Sequence, residues 1–239
     1  MLDNLDLKNV LILDIETVPQ FSTYEHLNET WKSLWSHKMR YYIKEDVTAA
    51  STYERAGIYA EFGKIVCISA GAFYNDNSDL KFRLKSFHGD DEKVLLEEFS
   101  EMLNKNYYKE EHNICGHNSK EFDFPYIARR CLINGITIPS ILDCYGKKPW
   151  EVKLLDTMDL WKFGDYKSFT SLKLLAAIFG IHSPKDDIDG SQVGDIYWNE
   201  KNLERIKIYC QKDVLTVAQL LLKFKGMELL KEENVVYAN

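Results

Sequence analysis

Residues 10–15, VLILDI, are an apolar run that closes on acids. A run this short and this apolar predicts a strand buried on both faces. Thr17-Val18-Pro19 follows and predicts the strand's end, because proline cannot donate to a central ladder. Residues 20–60 change character: they are helical in pattern and rich in aromatics, with a polar break near Lys44-Glu45-Asp46. They predict an insertion of two or three helices. Strand character returns at 64–74 and at 80–87, and Asn75-Asp76-Asn77-Ser78 between them is turn chemistry, so the two form a hairpin. A helix with acids in its first turn is expected over 91–106, a strand over 112–116, a helix over 120–133 and a last strand over 152–156. Helices follow at 169–179 and from roughly 200 to 224. With no repeat, linker or low-complexity tract, the pattern predicts one α/β domain over 1–239: a mixed sheet flanked by helices, with a helical insertion after the first strand.

Composition narrows the class. Of 239 residues, 45% are hydrophobic and 28% charged, which argues against disorder, and no stretch is apolar for long enough to span a bilayer. The polar, acidic start MLDNLDLKN does not read as a secretory signal. The five cysteines at 67, 115, 131, 144 and 210 form no Cys-x-x-Cys pair, so neither a disulfide framework nor a zinc site is indicated and a reducing cytoplasm is expected. A net charge of −7 argues against gripping nucleic acid by bulk electrostatics. No phosphate-cradling glycine loop is present, which removes nucleotide switches and dehydrogenases.

The chemistry lies in acids. Asp14 and Glu16 are two apart on a strand and share a face, whereas Leu13 and Ile15 point the other way. Two adjacent carboxylates repel unless a cation sits between them, and hard oxygen donors suit magnesium or manganese. The spacing is not specific: Asp90-Asp91-Glu92 has it where it opens a helix. Tyr209 and Asp213, four apart on the last long helix, also share a face. The discriminating segment is Gly116-His117-Asn118-Ser119-Lys120-Glu121-Phe122-Asp123-Phe124-Pro125-Tyr126, which follows a strand and enters a helix.

In order, Asp14-Ile-Glu16, Asn118-x-x-x-Phe122-Asp123 and Tyr209-x-x-x-Asp213 resemble the three exonuclease motifs of the DEDD superfamily, in its tyrosine-bearing DEDDy branch. The middle motif is most similar to that of the proofreading exonuclease domain of family-B DNA polymerases. Lys64-Ile-Val-Cys-Ile-Ser69 resembles that family's second strand, and Ser171-Leu-Lys-Leu-Leu-Ala176 with Lys185-Asp186-Asp187 its later helix and loop. The likeness covers nearly all of residues 8–225, includes no polymerase segment and leaves the 20–60 insertion unexplained.

The resemblance implies a ribonuclease-H-like fold, a five-stranded mixed sheet flanked by helices. It also implies a 3′–5′ exonuclease that removes nucleoside 5′-monophosphates from 3′ ends of single-stranded DNA. Two divalent ions, Mg²⁺ or Mn²⁺, would be held by Asp14, Glu16, Asp123 and Asp213, with Tyr209 orienting the attacking water. Thr17, Asn118 and Phe122 would hold the 3′ nucleotide. The ions would offset part of the negative charge, and Arg129-Arg130 and Lys147-Lys148 are candidates for contacting the strand. Two alternatives stay open: the same chemistry on RNA, and a catalytically silent nucleic-acid-binding module. Leu27, Trp31, Leu34 and Trp35 in the insertion are either core or a stacking surface with Lys32, Lys38 and Arg40. Asp156 and Asp159 serve either the metals or turns and caps.

Overall fold

The computed structural model describes residues 2–77, 79–165, 167, 169–181 and 188–238. The strands are β1 (Val10–Pro19), β2 (Gly63–Asp76), β3 (Asp79–His88), β4 (Asn113–Gly116), β5 (Leu154–Asp156) and β6 (Val235–Ala238). They form one mixed sheet in the order β5-β4-β1-β2-β3-β6. β1, β2 and β3 pair antiparallel, whereas β4 lies parallel to β1, β5 to β4 and β6 to β3. The helices are α1 (Glu29–Lys38), α2 (Glu92–Asn106), α3 (Asp123–Ile133), α4 (Thr157–Lys162), α5 (Leu172–Ile178), α6 (Val193–Asp195) and α7 (Leu203–Phe224).

Alternation along β1 sorts the two faces. Leu11, Leu13 and Ile15 pack with Leu96 and Phe99 of α2 and Phe124 and Ile127 of α3. Val10 and Ile12 point oppositely and pack with Val214, Val217, Ala218 and Leu221 of α7. This is the ribonuclease-H-like arrangement expected from the motifs. The five expected strands are present, with β6 added at the β3 edge. Val235, Val236 and Tyr237 favour extended backbone, but a stretch of four residues carries too little periodicity to announce a strand without its partner.

Three boundaries differ from expectation. β1 runs on through Pro19 instead of ending before it. Its pairing with β4 stops at Ile12–Cys115, so the later half of β1 is paired only with β2, and an unpaired edge tolerates proline. The helix expected from 120 begins at Asp123, because residues 118–122 are spent in a turn. Segment 20–60 contains one α-helix, α1, with 3₁₀ turns at Tyr24–His26 and Tyr53–Ile58. Ser78 of the hairpin turn and Lys185-Asp186-Asp187 of the later loop lie outside the described residues.

Candidate active site

The two faces of β1 also place its acids. Asp14 and Glu16 continue the Val10–Ile12 side and therefore meet α7. β2 sets Ser69 opposite Asp14 and Cys67 opposite Glu16, and one extra residue in β2, Val66, makes a bulge between Glu16 and Thr17. Beyond Ile12 the short β4 leaves one side of β1 unpaired. There the Ile15 amide donates to Asp123 Oδ1 at 3.1 Å, so the first residue of α3 is drawn to the strand that carries the other two acids.

The turn that delivers Asp123 is built on tight backbone packing. A Cβ at Gly116 would lie 1.9 Å from the Ser119 hydroxyl, so only glycine fits where β4 turns away. Asn118 is left-handed at φ 61°, a conformation asparagine tolerates. Asp156, at the end of β5, accepts from the amides of Asn118 at 2.8 Å, Lys120 at 3.0 Å and Met158 at 2.9 Å. It thus caps α4 and pins the Asn118 turn at once. His117 is held from both nitrogens: Nε2 donates to the Thr170 carbonyl at 3.0 Å, and Nδ1 lies 2.9 Å from the Thr157 hydroxyl. Burial lowers its pKa and favours the neutral ring.

α7 brings Tyr209 and Asp213 over the same place, one turn apart. The result is a cleft of about 310 Å³ lined by Asp14, Glu16, Asp123, Asp213 and Tyr209, together with Thr17, Asn118 and Phe122. His117, Ile58, Ile15 and Gly190 complete its wall. All eight residues singled out from the motifs are therefore brought together. Phe122 faces the cleft while packing on Tyr126, with ring centroids 5.4 Å apart, so its wall and core roles coincide.

Electrostatically the cleft is frustrated. Burial, then the charges of Asp123, Glu16 and Asp213, raise the Asp14 pKa well above the ordinary range. Burial, then Asp213, does the same to Glu16. Asp123 is pushed up to about 7 by burial, which its hydrogen bonds, the Ile15 amide among them, only partly offset. Burial, followed by the Asp213, Glu16 and Asp14 charges, raises the Tyr209 phenol and keeps it protonated. Neither lysine nor arginine lines this cleft among the described residues. A set of oxygen donors that repel one another and meet no cationic side chain fits divalent cations.

A family model described as a predicted 3′–5′ exonuclease related to the exonuclease domain of PolB matches residues 58–235. The chain belongs to that family. Within this exonuclease family match fall Asn118, Phe122, Asp123, Tyr209 and Asp213, whereas Asp14 and Glu16 precede it and join the site through β1. No curated protein matches the chain in sequence.

The remaining candidates divide. Arg130 does not serve a strand: it is buried and bound to Glu92, donating also to the Ala60 carbonyl at 2.9 Å. Arg129, Lys147 and Lys148 are exposed. Asp159 pairs with Lys120 at 3.2 Å and Lys162 at 3.1 Å, a surface role. In the insertion, Leu27 and Trp35 are core with Met39, Tyr53 and Phe62, whereas Trp31 and Leu34 are exposed. The insertion reaches the cleft through Ile58. Three residues of the cleft wall carried no assignment from the sequence: His117, next to a motif residue, and Ile58 and Gly190, which show no local signal; Cys210, next to Tyr209, lies behind the wall. Cys210 is buried, and its Sγ donates to the Asp14 carbonyl at 3.4 Å.

Proposed function

We propose that the chain is a divalent-cation-dependent 3′–5′ exonuclease acting on single-stranded DNA. The observation that carries this reading is the meeting of Asp14, Glu16, Asp123 and Asp213, from three separate elements, in one cleft with neither lysine nor arginine in its described lining. Asp14, Glu16 and Asp213 would hold one cation, and Asp14 with Asp123 a second. Bound divalent ions supply positive charge to a scissile phosphodiester and acidity to water.

The chain's own groups do the rest. The protonated Tyr209 phenol can hydrogen-bond and orient the attacking water. Thr17 and Asn118 line the cleft and would receive the 3′ end, and the left-handed backbone of Asn118, held by Asp156, would set that contact before substrate arrives. The Phe122 ring offers the terminal nucleotide an apolar face. DNA rather than RNA is favoured by the likeness of the middle motif to a DNA-proofreading domain.

Matched 3′-labelled DNA and RNA oligomers, incubated with Mn²⁺ with and without a chelator, test this. The expected outcome is stepwise release of 5′-monophosphates from DNA that stops with chelator and in Asp14→Asn. Faster degradation of RNA overturns the substrate, chelator-insensitive cleavage overturns the cation requirement, and binding without hydrolysis replaces the enzyme with a binding module.

A further inference from the structure

Directly behind the cleft wall lies a donor that an oxygen-only site does not need. Cys210 sits on α7 between Tyr209 and Asp213, fully buried, with its sulfur against the β1 backbone at Asp14. One donor atom each from Asp14, Glu16 and Cys210 lies within 4.8 Å of the others. Donors bound to a zinc-sized ion at about 2.0–2.3 Å sit roughly 3.5 Å from one another in a tetrahedron, so closing this set requires shifts of about 1 Å.

Glu16 completes the set. It is 6% exposed, and within the described residues no hydrogen bond or ion pair reaches its carboxylate. Its carboxylate opens on the cleft beside the buried thiol, where an entering cation can reach both. Cys67 adds a second sulfur: it is the cross-strand partner of Glu16 and packs beside Cys210 in one buried cluster.

We propose that Asp14, Glu16 and Cys210 form a site for a thiophilic divalent cation of the zinc or cadmium type, with Cys67 as the neighbour of the bound sulfur. Thiolate is the donor that separates such ions from magnesium. On binding, the Cys210 sulfur gives up its hydrogen bond to the Asp14 carbonyl. Its proton passes to solvent as the metal–sulfur bond forms, and the two carboxylates complete three protein ligands. Because Asp14 and Glu16 belong to both sets, filling this site excludes the oxygen-bound arrangement. Only that consequence, inhibition of hydrolysis, rests on the exonuclease reading; binding stands without it.

The test is a Cd²⁺ titration of the metal-free full chain, read by the ultraviolet thiolate-to-cadmium charge-transfer band. The expected result is a band that saturates at one ion per chain, persists in Cys115→Ser and is lost in Cys210→Ser. Glu16→Gln, which leaves the sulfur in place, is expected to keep the band and weaken Cd²⁺ binding about 10-fold or more. No band in the wild type, a wild-type band in folded Cys210→Ser, or unchanged affinity in Glu16→Gln overturns the site. Where the wild type hydrolyses DNA with Mg²⁺, equimolar Zn²⁺ is expected to inhibit it about 10-fold more strongly than it inhibits Cys210→Ser. A protein that shows the cadmium band and never hydrolyses DNA would refute the exonuclease reading and leave this one standing.

Discussion

Asp156 does not line the cleft, yet the cleft's shape depends on it. Its carboxylate accepts three backbone amides, two of them in the turn that delivers Asn118 and Asp123. In the sequence a turn or cap role is the favoured reading over a metal donor, but Leu-Asp-Thr-Met-Asp-Leu carries no mark of which amides stand near it. Asp156→Ala removes a cap and leaves further amides without this acceptor, which should cost roughly 2–4 kcal/mol. Urea unfolding checks it: a loss below about 1 kcal/mol would mean that water replaces the carboxylate fully. Tyr209 is a plainer residue. Its spacing to Asp213 follows from helix geometry, and only its burial among three carboxylates says that it remains a phenol.

At the scale of elements, α2 and α3 are joined through one buried ion pair. Glu92, the first residue of α2, receives Arg130 of α3, the Ile65 amide of β2 at 2.7 Å and Asn134 at 3.1 Å. Arg130→Met leaves that carboxylate buried without its cation and should destabilise by about 3–5 kcal/mol. Replacing such a pair with apolar residues is often neutral. Here the double variant Arg130→Met, Glu92→Leu should gain little back, because the Ile65 amide loses its acceptor. A double-mutant cycle in urea measures this, and full recovery in the double variant would count against the network. In the sequence the Arg129-Arg130 pair is a candidate strand contact or a solvated face; the fold turns one of its two side chains inward.

For the molecule as a whole, the site and the fold pull in opposite directions. Asp123 has its folded pKa raised from 3.8 to about 7, and Asp14 and Glu16 are raised as well. For acids shifted upward the folded state binds more protons than the unfolded one. Stability is therefore greatest below the unfolded value and falls as pH rises through the folded value. Without metal, the melting temperature should drop between about pH 4 and pH 7 and stay low above it. Adding Mn²⁺ should raise it far more at pH 8 than at pH 5, since deprotonated carboxylates bind the ion and protonated ones do not. Thermal melts at both pH values decide; an equal gain would mean that these acids are not the ligands.

Much of this was legible in the chain, and for definite reasons. Period-two and period-3.6 patterns reflect burial on one face, so the β2–β3 hairpin, α2 and α7 could be read locally, and the motif order grouped Asp14, Glu16, Asp123, Tyr209 and Asp213. What tertiary structure alone decided depends on partners distant in sequence. A short β4 frees the end of β1, letting Pro19 stay in the strand and Asp123 take the Ile15 amide. β3 offers an edge on which Val235–Ala238 become a strand. The β1–β2 register sets Cys67 against Glu16, and α7 lays Cys210 over both. Local sequence fixes which face a side chain takes along its own element. Which groups meet there is set by pairing and packing across more than a hundred residues.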